Sequence, residues 1–294
     1  MLASSLRIGM LIELIVFGAL GRQALGLSWL GALVFALGLM LLLRALMNLA
    51  TWAIAWWLRS PAAALSAPRA LAMVGREYAV FLLIFGLIQP FVRLWMPADR
   101  LRPHARPLLL VHGYMCNRGC WWWLRRRLEA AGHVVATITL EPPWGGIDDF
   151  ADQLHARVQA VCAATGAAQV VLVGHSMGGL VSRACLARHG DAHIAGLVSI
   201  ATPHQGSALA ALGFGLDAAQ MRRGADWLAR LGQQRVRPPF ASIRTPHDNF
   251  VMPQDGQRHP DALDLPLPGA GHMAALFDAR TLDLLCRQIE RLAS

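Results

Sequence analysis

A chain of 294 residues, 55% of them apolar, has room for one large domain or for a modest domain with an appendage. Its formal charge of +9 comes from 27 Arg and no Lys set against 18 acidic residues, which excludes Schiff-base and Ser–Lys chemistry. The Arg residues are scattered and accompany no nucleic-acid-binding motif, so nucleic acid is set aside as a partner and an anionic membrane surface is preferred.

The composition is uneven. Residues 1–98 carry seven Arg and two Glu in an apolar background, whereas residues 99–294 carry 20 Arg and 16 acidic residues. We expect a membrane-anchoring helical region over 1–98, followed by a domain over 99–294 large enough for its own core. Ile8–Leu20 and Leu25–Leu43 are apolar stretches punctuated by Arg7, Arg22 and Arg44. The second has the length of a membrane span, and the first reaches it only if it extends outward. A cleavable leader is the competing reading, but no small-residue cleavage site follows Leu20, so a helical hairpin fits better. Trp52, Trp56, Trp57 and Arg59 suit the headgroup layer or the last turns of a long second helix.

Tyr78–Met96 is a third apolar stretch that could span, lie in the interface, or pack on the following domain. Pro90 and Arg93 argue against a full span. Two spans leave Arg22 alone on one side and place the C-terminal domain in the cytoplasm by the positive-inside rule. A third would reverse it. The cytoplasmic face of a bacterial inner membrane is the favoured location.

From Pro107 the pattern changes to short apolar runs alternating with helical segments. Leu108–Val111, Val134–Leu140, Val170–Val173, Leu197–Ile200 and Phe240–Ile243 predict buried parallel strands, with the apolar-alternating Leu263–Leu267 after them. Trp121–Ala131 and Ile147–Thr165 predict helices, the latter opening on Asp148 and Asp149. This is a doubly wound α/β sheet.

Gly174-His175-Ser176-Met177-Gly178-Gly179 follows the Val170–Val173 strand and leads into an apolar-faced helix, the context that a G-x-S-x-G nucleophile elbow requires. Ser176 is the candidate nucleophile, because a serine on so tight a turn needs glycine neighbours to avoid clashes. The backbone N–H groups of Tyr114, in His112-Gly113-Tyr114 after the first strand, and of Met177 are the candidate oxyanion donors. His112 is read as ordering that loop. His272, in Gly269-Ala270-Gly271-His272 after the last strand, is the candidate base, and Asp248, the first carboxylate past Phe240–Ile243, the candidate acid. Asp255 is its rival, and Asp226 comes too early.

These motifs, with Ala201-Thr202-Pro203-His204-Gln205-Gly206-Ser207, resemble the bacterial lipase and esterase branch of the α/β-hydrolase superfamily over residues 105–294. The resemblance implies an α/β-hydrolase fold with a lid over about 208–239, preceded here by a helical transmembrane segment. It implies a serine carboxylic-ester hydrolase for lipid-like or apolar esters, working through Ser176, His272 and Asp248 with no metal or organic cofactor. An acyltransferase, a thioester or amide hydrolase, and a non-catalytic membrane scaffold stay open as alternatives. The insertion Ala208–Pro239 suits either a membrane-docking lid or an ordinary cap helix, and Trp121–Trp123 could contribute to an acyl pocket. Cys116 and Cys120 could bridge, although two small apolar side chains are the favoured reading.

Overall fold

The computed structural model describes residues 1–293, so the Ser294 end of the expected second unit lies outside the described residues. Two helices, α1 (Leu2–Gln23) and α2 (Trp29–Trp57), form an antiparallel hairpin. Gly21 packs on Ala32 and Phe35 near the tip, and Glu13 pairs with Arg44 at 2.6 Å further down. The outer faces of the hairpin leave Leu11, Ile15, Leu30, Val34 and Leu41 exposed. Such faces match lipid and not water. A third helix, α3 (Ala67–Leu82), continues through a wider π-type turn over Leu83–Ile88. All three are long and apolar enough to cross a membrane.

Their contacts separate them. The amino group of Met1 meets Glu141, and Ser60, just past α2, exchanges hydrogen bonds with Gln254 and Asp255. Both ends of the hairpin therefore rest on the following domain. Segments at both ends of α3 rest there too: Ala63 accepts from His247, and Gln89 binds Asn117 through its side chain and its carbonyl. Met73, Glu77, Val80, Ile84 and Ile88 recur at three- and four-residue spacing as the buried face of this helix. The third apolar stretch thus packs along the domain. It begins at residue 67, well before Tyr78, and a short α4 (Val92–Trp95) follows it.

The domain is built on six parallel strands: β1 (Leu108–Val111), β2 (Val135–Thr137), β3 (Val170–His175), β4 (Ile194–Ile200), β5 (Phe240–Arg244) and β6 (Leu263–Pro266). Their order is β2-β1-β3-β4-β5-β6. The chain winds outward from β1 to β2 and then crosses to β3, so a crevice opens at the carboxyl ends of β1 and β3. The pleat of β1 divides the core: Leu109 and Val111 face one buried cluster, Leu108 and Leu110 the other. On the first side lie α6 (Ile147–Thr165) and α7 (Met177–His189); on the second lie α5 (Trp122–Ala130) and α10 (Ala279–Ala293), joined by Val80, Ile84 and Met96. A boundary drawn between residues 98 and 99 therefore divides a packed cluster.

β2 is shorter than its apolar run predicts because its backbone donors are diverted. The N–H of Leu140 goes to His112 Nε2 at 2.9 Å instead of to a neighbouring strand. The predicted Trp121–Ala131 helix also splits, into a 3-10 turn over Arg118–Trp121 and then α5. Trp121 is fully buried, while Trp122 and Trp123 pack on Phe277.

Asp99 ties the segment after α4 to the sheet. Its carboxylate, 6% exposed, meets Arg118 at 2.8 Å, Arg125 at 3.1 Å and Arg157 at 2.7 Å, and it accepts the Thr137 N–H at 2.8 Å. Removing one partner of a buried ion cluster typically costs about 3–5 kcal/mol, because the opposite charges remain desolvated. Asp99→Ala is therefore expected to lower the Tm of the detergent-solubilised chain by about 10 °C, measured by thermal unfolding followed by circular dichroism.

Candidate active site

Ser176 stands between β3 and α7 at φ +54° and ψ −125°, a conformation that costs a non-glycine residue about 1–3 kcal/mol. Two close approaches enforce it. A Cβ on Gly178 would lie 2.1 Å from the Val111 carbonyl oxygen, and one on Gly174 would lie 2.5 Å from the Gly179 nitrogen. The serine side chain makes no capping hydrogen bond to its own helix and instead faces a cavity that His272 also lines.

The Asp248–His272 pair is buried. His272 Nδ1–H donates to Asp248 Oδ2 at 2.9 Å, which leaves Nε2 as the ring nitrogen available for proton transfer. The other Asp248 oxygen accepts the N–H groups of Phe250 at 2.7 Å and Val251 at 2.8 Å, and Thr245 Oγ1 donates to Oδ2. Burial pushes the Asp248 pKa up, but His272 and these donors outweigh it and hold the carboxyl below its usual range. Burial likewise pulls His272 down. The Asp248 carboxylate, its hydrogen bond and the charge of Glu77 together prevail and raise the imidazole above its ordinary value.

The His112–Tyr114 loop lies against the elbow. A Cβ on Gly113 would meet Ser176 Cβ at 2.9 Å. Among the described residues, neither the Tyr114 nor the Met177 amide N–H has an acceptor. Two unsatisfied donors beside a serine suit an oxygen that acquires negative charge. His112 is buried and its pKa is pushed down to about 4, so it is neutral. Its Nδ1–H donates to the Gly113 carbonyl while Nε2 accepts from Leu140. It orders the loop. His175, pushed down to about 3 by burial, donates from Nε2 to the His272 carbonyl at 3.2 Å.

The cavity, about 390 Å³, is apolar apart from Ser176, His175, His272, Ser207 and the Tyr114 hydroxyl. Leu209, Leu212, Phe214 and Met221 of the 208–239 insertion form one wall; this insertion comprises a 3-10 turn over Ala208–Leu212, α8 (Leu216–Gln220) and α9 (Asp226–Gly232). Tyr114 is bonded to the insertion, its hydroxyl donating to the Phe214 carbonyl at 2.8 Å and accepting the Phe214 N–H at 3.1 Å. Met47 of α2 and Phe85 of the π-type turn complete the lining; none of Trp121–Trp123 takes part.

Asp255 pairs with Arg258. His204 is buried against Ser199 at 3.0 Å and Arg183. The Ala201–Ser207 segment instead supports the acid loop, since Ser207 Oγ donates to the Phe250 carbonyl at 2.7 Å and accepts the Met252 N–H. Cys116 and Cys120 are free and buried. Among the described residues no group of three or more His, Cys, Asp or Glu is arranged to hold a metal ion.

A strand-borne serine elbow beside a buried Asp–His pair, at the carboxyl edge of this sheet, defines the α/β-hydrolase class, and this chain carries that fold. Residues 106–235 match the family described as alpha/beta hydrolase fold. Triacylglycerol lipases from Pseudarthrobacter phenanthrenivorans and Burkholderia plantarii are each 35% identical over 121 residues, 38% of this chain. The match spans only 38% and 34% of those lipases' own lengths. Among solved structures, the mature form of a Bacillus licheniformis lipase superposes with a TM-score of 0.59 at 18% identity, covering 66% of this chain and 96% of the lipase. Lipases are thus among the relatives of this chain, and its α/β-hydrolase domain is similar to theirs in sequence and in fold.

Sequence reasoning missed the side chains that support the Asp248 and His272 loops: Thr51, Glu77, Asn249, Gln254 and Gln257. Glu77 carried a signal, as a lone carboxylate in an apolar stretch is rarely idle. The balance of effects at His272 is testable by NMR titration of histidine-labelled protein. His272 is expected to titrate above 6.5 in the native chain. In Asp248→Asn, where burial wins, it is expected to titrate below 6.5.

Proposed function

We propose that the chain is a membrane-attached serine hydrolase that cleaves carboxylic esters with long apolar acyl groups. The observation that carries this reading is the position of Ser176 and His272 on an apolar cavity lined in part by Met47 and Phe85 of the membrane-type helices. Leu212 and Phe214, 76% and 59% exposed on the insertion, continue the apolar surface outward. The Arg residues around that insertion suit contact with anionic lipid. The names of the lipase relatives point the same way.

Ser176 Oγ attacks the ester carbonyl as its proton passes to His272 Nε2, and the oxyanion is received by the Tyr114 and Met177 amides. The imidazolium is stabilised by Asp248 and gives the proton to the departing alkoxide, which leaves as the alcohol. Water then repeats the sequence on the acyl-enzyme and releases the acid. The hairpin of α1 and α2 crosses the bilayer twice, with Arg22 at its tip. Arg44 lies midway along the hairpin, paired with Glu13, while Arg7 and Arg59 lie towards its base, so the catalytic domain faces the cytoplasm.

Ser176→Ala is expected to lower kcat on p-nitrophenyl esters by at least about a thousandfold and to abolish labelling by a fluorophosphonate. Wild type and variant behaving alike on every chain length would sink the hydrolase reading. Phe85→Trp and Met47→Trp, which narrow the cavity, should shift the preferred acyl chain to shorter esters while leaving acetate hydrolysis nearly unchanged. An added alcohol outcompeting water as acceptor would reassign the enzyme as an acyltransferase.

A further inference from the structure

His272 sits on a short turn, Gly271–Ala274, whose backbone groups are held by side chains from elsewhere in the chain. Its own N–H donates to Asn249 Oδ1 at 3.2 Å, and Asn249 Nδ2 in turn donates to Thr51 Oγ1 of α2 at 2.9 Å. The next two N–H groups go to one carboxylate: Met273 donates to Glu77 Oε1 at 2.9 Å and Ala274 to Glu77 Oε2 at 2.8 Å. Glu77 is fully buried. Each of its oxygens has a backbone donor, yet burial outweighs these donors and pushes the carboxyl up to about 7. The fit is close on the other side as well, since a Cβ on Gly271 would lie 2.5 Å from Glu77 Oε2. Next to it, Arg76 reaches past the turn to Asp278 at 3.0 Å and to the Phe277 carbonyl at 2.7 Å. Glu77 lies outside residues 106–235, so the family match assigns it no role.

From this geometry we propose that the N-terminal helices are a working part of the active site, with Glu77 of α3 as the positioning residue that sets the His272 turn. The proposal rests on the hydrolase reading for its kinetic consequence and on the structure for its contact. An anchor that only tethered the domain would have no reason to place its buried carboxylate on the two amides following the histidine. A base displaced by about 1 Å can cost about a hundredfold in rate. The N-terminal helices would thereby hold the histidine in register with Ser176, α3 directly through Glu77 and α2 through Thr51 and Asn249.

Glu77→Gln keeps the size of the side chain but presents one oxygen and one NH2 group to two N–H donors, so one contact is lost. In the full-length chain in lipid vesicles, kcat is expected to fall ten- to hundredfold with KM within about twofold of wild type. Hydrogen exchange is expected to quicken in residues 270–276 and not in Phe240–Arg244. Glu13→Gln, which alters the other carboxylate of the N-terminal helices, should change neither. Retention of kcat within twofold together with unchanged exchange at 270–276 would overturn the proposal. So would exchange that quickens throughout the domain with kcat and KM changed alike. If Glu77→Gln does not fold, Gly271→Ala probes the contact from the opposite side: a kcat-selective loss supports the proposal and full activity refutes it. The exchange measurement needs no substrate. Should wild type prove inactive on every ester, the hydrolase reading fails while exchange at Met273 and Ala274 still decides the Glu77 contact.

Discussion

The start of α7 lies so close to the end of β1 that only hydrogen fits at Gly178 Cα, facing the Val111 carbonyl. Much of the site follows from that approach. It brings the elbow and the His112–Tyr114 loop together, so that Ser176 and the Tyr114 and Met177 amides share one edge of the sheet. It also confines Ser176 to a backbone conformation that a relaxed serine avoids. The strain is held by the surrounding parallel sheet, whose β1 and β3 are buried on both faces.

The other half of the site is assembled differently. Asp248 and His272 lie on loops after β5 and β6, where the only regular structure is a short 3-10 turn in each, Gln254–Gln257 and Ala274–Phe277. Their backbone groups are bound by side chains, some from a few residues away and some from other parts of the chain. Ser207 and Gln254 hold the acid loop, while Gln257 holds Thr245. Asn249 and Glu77 hold the histidine turn. Most of these groups are buried and satisfied, which makes the network strong as a whole and intolerant of a missing member. Two of the supports, Thr51 and Glu77, belong to helices whose composition fits lipid. The domain and its N-terminal helices are therefore interlocked and not serially joined.

The cavity repeats this theme. The 208–239 insertion, α2 through Met47 and the π-type turn through Phe85 all line the cavity that Ser176 faces, and Tyr114 hydrogen-bonds to Phe214 of the insertion. The apolar surface of Leu212 and Phe214 is continuous with a site whose other side is built by membrane-type helices.

The sequence by itself determined the alternation of buried strands and helices, the elbow and the order of the candidate acid and base. Each of these is written in local spacing: unbroken apolar runs for parallel strands, glycines flanking Ser176, a loop histidine after the last strand. It also marked Ile8–Leu20 and Leu25–Leu43 as apolar stretches for a helical hairpin in a bilayer, which the structure extends to Leu2–Gln23 and Trp29–Trp57. It overextended β2, because the diversion of the Leu140 N–H to His112 depends on a contact 28 residues away. The tertiary structure alone decided what the third apolar stretch packs against. Its periodicity shows a buried face, but hydrophobic burial carries no direction, and lipid and protein core are alike to Val80 and Ile84. Polar contacts do carry direction. The two hydrogen bonds at Glu77 place this helix against the His272 turn, and they join residues nearly 200 positions apart. No local pattern encodes a pairing of that kind.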